Sequence, residues 1–146
     1  MKRLECLLIA VMILNVWSES NAKPVVVLEQ TAAPSAVTHR GDLDASRKKF
    51  IETKRGTVAF IGGSITEMAG YRVFVAEHLR ERFPDTEFEF INAGIASTCS
   101  HTGAFRLRSQ VLAQKPDLLL IEFAVNDDQD AAHDEANAVR GMEGIV

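Results

Sequence analysis

The sequence contains few of the residues on which several common kinds of site depend. Among its 146 residues are two cysteines, one tryptophan, one tyrosine and four histidines. Cys6 lies in an N-terminal stretch that we expect to be cleaved off, so Cys99 is the one cysteine of the mature chain. A single cysteine cannot form an intrachain disulfide, which excludes both a disulfide framework and a cysteine-rich metal site.

Positive charge is also scarce. The formal net charge is -4, and the 16 lysines and arginines are scattered along the chain. Because binding to phosphates requires a basic face, we expect no nucleic-acid partner. The 47% hydrophobic and 25% charged residues are typical of one globular domain.

The apolar stretch at the N-terminus is too short for a membrane-spanning helix. It covers residues 7–17, about half of the roughly 20 residues that a spanning helix needs. Two basic residues precede it, and the small residues Ser20 and Ala22 follow it. This pattern predicts a secretory signal peptide over residues 1–22, cleaved after Ala22, and hence a secreted or periplasmic protein without stable membrane insertion.

In the rest of the chain, segments with the hydrophobic pattern of a strand alternate with segments that have the pattern of a helix. Residues 23–55 are predicted to be a lead-in segment that ends in a short polar helix, and residues 56–146 a single domain. Within the domain the pattern predicts strands at residues 57–61, 87–92 and 117–125 and helices at residues 71–83, 103–114 and 131–146. Strands that alternate with helices form parallel sheets, so we expect a three-layer α/β/α fold of the flavodoxin type.

Each predicted strand is followed by a short polar loop, and in a parallel sheet these loops meet at one end. The loops contain Ser64, Gly94 and Asn126. Each residue has a local explanation when it is taken alone. Ser64 could cap a helix, with Glu67 completing a capping box, Gly94 could serve a turn, and Asn126 could cap the last helix. Together the three suit acyl transfer, because a serine hydroxyl lies beside two amide donors for a developing oxyanion.

Three sequence blocks carry a resemblance to a known family. "FIGGSITE", "INAGIAST" and "FAVND" resemble the first three motif blocks of the SGNH hydrolases, or GDSL-type esterases, in the same order. The resemblance implies that Ser64 is the nucleophile and that Gly94 and Asn126 contribute to the oxyanion hole. It also implies hydrolysis of carboxylic esters without metal or cofactor. Because the protein is expected to be exported and its sequence has no long hydrophobic lid segment, we expect O-acetyl groups on a carbohydrate as the substrate. Gly63 departs from the family, which often has aspartate at that position.

The general base that such a serine needs is harder to place. The resemblance implies an Asp-x-x-His block near the C-terminal end of the domain. Asp130 and His133 have that spacing, but they follow Asn126 by only a few residues, so we expect them to belong to the last helix. We therefore expect a C-terminally truncated SGNH domain, either a fragment or a degenerate relative, with little turnover of its own.

Two alternatives remain open. The first is a noncatalytic module that binds a carbohydrate or a partner through the same crevice. The second is a phosphate-binding module on a flavodoxin-like fold, with residues 62–66 as the cradle. The second has less support, because the sequence contains neither G-x-G-x-x-G nor G-x-x-x-x-G-K-[ST].

Overall fold

The computed structural model describes residues 41–130 and 132–146. The predicted signal peptide and the first part of the lead-in segment lie outside these residues. The helices are α1 (Asp44–Thr53), α2 (Ser64–Glu67), α3 (Tyr71–Arg82), α4 (Ser100–Gln110), α5 (Ala124–Gln129) and α6 (Glu135–Glu143), and the strands are β1 (Arg55–Gly62), β2 (Glu87–Gly94) and β3 (Leu118–Glu122). A 3₁₀ turn, Leu112–Gln114, follows α4. None of the described helices is both long and apolar enough to cross a membrane.

The three strands form one parallel sheet in the order β2-β1-β3. At its C-terminal end, Gly62 of β1 is in register with Gly94 of β2 and with Glu122 of β3. The three strands therefore end at the same level, and the loops that follow them start side by side. The predicted parallel sheet is confirmed.

Side chains alternate between the two faces of β1 and bury a separate apolar cluster on each face. Val58 and Phe60 pack on one face with Phe50 of α1 and with side chains of α3. Ala59 and Ile61 pack on the other face with residues of α4 and α6. All four β1 side chains are essentially inaccessible to solvent. Helices thus cover both faces of the sheet, which confirms the predicted α/β fold.

The chain after β3 differs from the predicted elements. The predicted third strand extended to residue 125, but β3 ends at Glu122 and α5 begins at Ala124. The predicted final helix covered residues 131–146, whereas α6 begins at Glu135. Its N-cap is Asp134, whose side chain accepts a hydrogen bond from the Asn137 amide. Asn126 is therefore inside α5, and the interpretation of Asn126 as the cap of the last helix was wrong.

The polar helix α1 lies in the predicted lead-in segment and packs against the sheet. Phe50 is 2% exposed, and its ring makes edge-on contacts with Phe83 and Phe88. The Ser46 hydroxyl donates a 2.6 Å hydrogen bond to the Asp117 carbonyl, just before β3. These contacts hold α1 near the N-terminal ends of β1 and β3, the end of the sheet opposite Ser64.

Candidate active site

Ser64 is the first residue of α2, directly after the turn that leaves β1. Gly63 occupies the N-cap position, and its carbonyl accepts a 3.0 Å hydrogen bond from the Glu67 amide. The alternative interpretation of Ser64 as a helix cap with Glu67 completing a capping box is therefore wrong. Ser64 is half-buried. The strand-to-helix turn places its side chain at the C-terminal end of the sheet, where the three loops start.

Asn126 lies beside this turn although 62 positions separate it from Ser64. A β-carbon built on Gly63 would overlap Asn126 Oδ1 and would lie 2.6 Å from Asn126 Cγ. Asn126 is 5% exposed, and its Nδ2 donates a 2.6 Å hydrogen bond to Asp130 Oδ2. Within the described residues Asn126 Oδ1 is buried without a hydrogen-bond partner. The carboxamide of Asn126 is thus held against the turn that carries Ser64.

Gly94 packs against the short helix α2 that Ser64 begins. A β-carbon built on Gly94 would lie 2.6 Å from the Glu67 α-carbon, so close packing of β2 against α2 needs a residue without a side chain. The Gly94 amide donates a 2.9 Å hydrogen bond to Asn92 Oδ1, and Asn92 Nδ2 donates to the Glu67 carbonyl. The three residues identified from the sequence therefore meet at one segment: Ser64 begins α2, Gly94 packs against Glu67 of α2, and Asn126 packs against the preceding Gly63.

Arg106 contacts the backbone at the ends of β1 and β2, next to the turn that carries Ser64. It was not identified from the sequence. It belongs to α4, is 8% exposed, and donates from Nη2 to the Gly62 carbonyl at 2.9 Å. Its Nη1 donates to the Ala93 carbonyl and, at 2.8 Å, to Gln110 Oε1. Desolvation lowers the pKa of the guanidinium from its ordinary value. A sequence signal exists, because Arg106 lies at helical spacing with the buried Gly103 on the core face of α4.

A second buried group, also missed from the sequence, joins α2, α3 and β3. Thr66 is fully buried, and its hydroxyl shares a 3.0 Å hydrogen bond with the Tyr71 hydroxyl. The same hydroxyl is 3.5 Å from Glu122 Oε2. Burial raises the pKa of Tyr71, with the charge of Glu122 adding to the effect and the Thr66 hydrogen bond opposing it. This polar cluster fixes the C-terminal part of α2 relative to the sheet.

Asp127, next to Asn126, connects α5 to α4. It is 8% exposed, and its Oδ1 accepts a 2.7 Å hydrogen bond from the Ser100 amide at the start of α4. The neighbouring Cys99 thiol donates to the Asn126 carbonyl at 3.4 Å. Burial raises the pKa of Cys99, and the nearby Asp127 carboxylate raises it further. These bonds fix the backbone of Asn126 from the α4 side.

Solved structures resemble this chain in fold, although neither a family model nor a curated protein sequence matches it. A two-domain esterase (CEX) active on acetylated mannans is 34% identical, with a TM-score of 0.62 over 74% of this chain and 30% of its own. A variant of Axe2, an acetyl xylan esterase from Geobacillus stearothermophilus, is 23% identical, with a TM-score of 0.50 over 62% and 53% of the two chains. AlinE4, an SGNH-hydrolase family esterase, is 21% identical, with a TM-score of 0.53 over 62% and 51%.

The chain has the fold of the N-terminal portion of an SGNH hydrolase. The family resemblance given by the three sequence blocks is thereby confirmed. The chain spans between 30% and 53% of the length of the three solved proteins.

Asp130 and His133 have the spacing of an SGNH Asp-x-x-His block, but they are not paired with each other. His133 is 74% exposed, and its Nδ1 is 2.6 Å from Asp128 Oδ1, while Asp130 contacts Asn126 instead. His133 lies in the turn between α5 and α6, not in a helix as predicted. Of the other histidines, His101 is exposed on α4 and His78 is exposed on α3. His39 is outside the described residues.

Proposed function

We propose that this chain forms the nucleophile-bearing part of an exported serine esterase that removes acetyl groups from carbohydrate. The observation that carries the proposal is the position of Ser64. It opens a helix at the end of the central strand, with Asn126 packed against the preceding Gly63 and with Gly94 in register with Gly62, the last residue of that strand. A nucleophile and two amide donors at the same end of the sheet are the parts that acyl transfer requires.

In the proposed reaction the Ser64 hydroxyl attacks the carbonyl carbon of the acetyl ester. The carbonyl oxygen becomes an oxyanion, which the amides of Ser64 and Gly94 and the carboxamide of Asn126 stabilise. Collapse of this intermediate releases the sugar hydroxyl and leaves Ser64 acetylated, and water then releases acetate. A base must take the serine proton in the first half and return it to the leaving group.

Two of the proposed donors already have acceptors within the chain. The Gly94 amide donates to Asn92 Oδ1, and Asn126 Nδ2 donates to Asp130 Oδ2. An amide nitrogen of asparagine carries two hydrogens, so Asn126 can keep its bond to Asp130 and donate the second hydrogen to substrate. The Gly94 amide has one hydrogen, so Asn92 Oδ1 must move aside or share that hydrogen when the oxyanion forms.

Carbohydrate acetyl esters are proposed as substrates because the most identical of the three compared structures is an esterase active on acetylated mannans. The Axe2 structure is that of an acetyl xylan esterase. Both names describe esters on a polysaccharide backbone. Whether mannan, xylan or a shorter acetylated sugar is preferred is an outcome of the assay below.

The test is acetate release by the full gene product that contains this chain. Purified protein is incubated with acetylated mannan, acetylated xylan and a chromogenic acetate ester, in parallel with the Ser64→Ala variant. We expect hydrolysis by the wild type and none by Ser64→Ala. Ser46→Ala is a matched control, because Ser46 lies at the opposite end of the sheet and should leave the rate unchanged.

Hydrolysis that persists in Ser64→Ala would contradict the proposal. Binding of acetylated mannan without hydrolysis, measured by calorimetry, would favour the alternative of a noncatalytic carbohydrate-binding module on the same fold. The export component is tested separately by mass spectrometry of the secreted protein, which should begin at Lys23. Intact Met1 in a cytoplasmic pool would contradict cleavage after Ala22.

A further inference from the structure

Arg106 is a buried cation that has no carboxylate partner within the described residues. Its hydrogen-bond acceptors are two main-chain carbonyls and the side-chain amide of Gln110. Its Nε is buried and makes no hydrogen bond within the same part of the chain. Burying a charge is unfavourable unless it is paired, and an apolar side chain of similar size often stabilises such a position at least as well. Core stability alone therefore does not explain an arginine here.

The two carbonyls that Arg106 contacts belong to peptide units next to the proposed catalytic groups. A trans peptide unit is planar, so its C=O and N–H point in opposite directions. The Ala93 carbonyl shares its peptide plane with the Gly94 amide, and the Gly62 carbonyl shares its plane with the Gly63 amide. A guanidinium that holds both carbonyls from α4 thereby aims both amides away from α4.

The observed acceptors agree with that direction. The Gly94 amide donates to Asn92 Oδ1, and Asn92 in turn donates to the Glu67 carbonyl of α2. The Gly63 amide donates to the Glu122 carbonyl at 3.3 Å. Positive charge on the carbonyl side of a peptide also polarises it and makes its N–H a stronger donor. Arg106 therefore acts on the Gly94 amide by geometry and by charge.

We propose that Arg106 is a positioning residue of the ester-hydrolysis site, which orients and strengthens the Gly94 amide as an oxyanion donor without contacting substrate. The inference rests on the proposed function for its kinetic consequence, but the orientation of the Gly94 peptide is independent of it. Lysine keeps the charge but lacks the planar fork that reaches two carbonyls at once. Methionine keeps much of the volume and removes both the charge and the fork.

The kinetic test compares Arg106→Lys, Arg106→Met and the control Arg108→Met in the full gene product. Arg108 is exposed on the same helix and is expected to tolerate the change. For Arg106→Met we expect kcat to fall by about 10²-fold, the order seen when one oxyanion donor is lost, with KM nearly unchanged. Arg106→Lys should fall between the two. A kcat for Arg106→Met equal to that of Arg108→Met would overturn the proposal.

A second measurement needs no activity and separates this inference from the proposed function. In ¹⁵N-labelled protein, the Gly94 amide of Arg106→Lys should exchange with solvent about 2- to 10-fold faster than in the wild type, as expected for the loss of one hydrogen bond. The Ala59 amide in the centre of β1 should be unchanged. Faster exchange together with an inactive wild type would refute the proposed esterase activity but support the orientation of the Gly94 peptide by Arg106. Unchanged Gly94 exchange in Arg106→Lys would refute that orientation, whatever the activity. Because this test uses Arg106→Lys, it can be carried out even if Arg106→Met does not fold.

Discussion

The carboxamide of Asn126 occupies the space in which a side chain on Gly63 would lie. Gly63 has a φ of −85°, outside the left-handed region, so the requirement for glycine comes from Asn126 and not from the backbone. The contact joins the turn before the proposed nucleophile to a proposed oxyanion donor in α5, the helix that follows β3. SGNH hydrolases often have aspartate at the position of Gly63. In this chain an aspartate there would collide with Asn126 in its present position.

A double-mutant cycle tests this contact. Gly63→Ala should destabilise the protein by about 1–3 kcal/mol, because the new methyl group overpacks a filled site. Adding Asn126→Ala should recover part of that loss, since the smaller side chain removes the overlap. Chemical denaturation measures each free energy of unfolding. Gly70→Ala is the control, because a β-carbon there would have no neighbour closer than 4.0 Å. Strictly additive effects of Gly63→Ala and Asn126→Ala would contradict the contact.

Asp127 should contribute more to stability than its neighbour Asp128. Asp127 is buried and accepts the Ser100 amide at the start of α4, whereas Asp128 is paired with the exposed His133. Asp127→Ala leaves a buried amide without its acceptor, which costs about 1–3 kcal/mol. Asp128→Ala should cost less than about 1 kcal/mol, as for other exposed pairs. Thermal and urea unfolding compare the two variants, and equal losses would be inconsistent with the buried bond.

Much of the fold could be predicted from the sequence because β1 and β3 contain clear apolar runs, β2 begins by alternating charged with apolar residues, and helical patterns separate the three strands. The segment after β3 could not. Phe123 is buried beyond the end of the strand, so the apolar run crosses the junction with α5 and hides it. The acidic residues around Asp134 supply several possible caps, so the sequence alone did not show that α6 begins after Asp134.

The candidate site, like the fold, was only partly predictable from the sequence. Ser64, Gly94 and Asn126 were identifiable because each lies at or just after the C-terminal end of a predicted strand, where chemistry is expected. Arg106 was not, because its function depends on which carbonyls lie above α4, and a single arginine in a helix is usually solvent-exposed. Asn92 was missed for a related reason, since its bond to the Gly94 amide is set by the local turn.

The Tyr71 phenol should make stability depend on alkaline pH. Its folded-state pKa is raised above the ordinary value of 10.0, chiefly by burial. The folded state therefore favours the neutral phenol, so its contribution is fully present below about pH 10 and is lost as the pH rises through the folded-state pKa. Tyr71→Phe cannot ionise and should lose less stability over that range. Tyr71 is the one tyrosine in the sequence, so tyrosinate absorbance reports its titration directly. A midpoint at or below 10.0 would contradict the burial effect.

His133 should be dispensable for catalysis. It is exposed and paired with Asp128, away from the contact between Asn126 and Asp130. His133→Ala should change kcat/KM by no more than about twofold, the range of a surface substitution. The measurement is the pH profile of acetate release by the full gene product. Loss of the base-dependent limb of that profile in His133→Ala would establish His133 as the base and contradict this prediction.

The most direct test of the central claim is to trap the acyl transfer on Ser64. An acetyl-ester mimic with a phosphonate electrophile is added to the full gene product, and the modified residue is located by peptide mass spectrometry. Labelling is expected on Ser64 alone, absent in Ser64→Ala. In Asn126→Ala it should be slower by about 10²- to 10³-fold, because that variant loses an oxyanion donor but keeps the nucleophile. Labelling of another residue, or equal labelling of the Asn126→Ala variant, would contradict the proposed site.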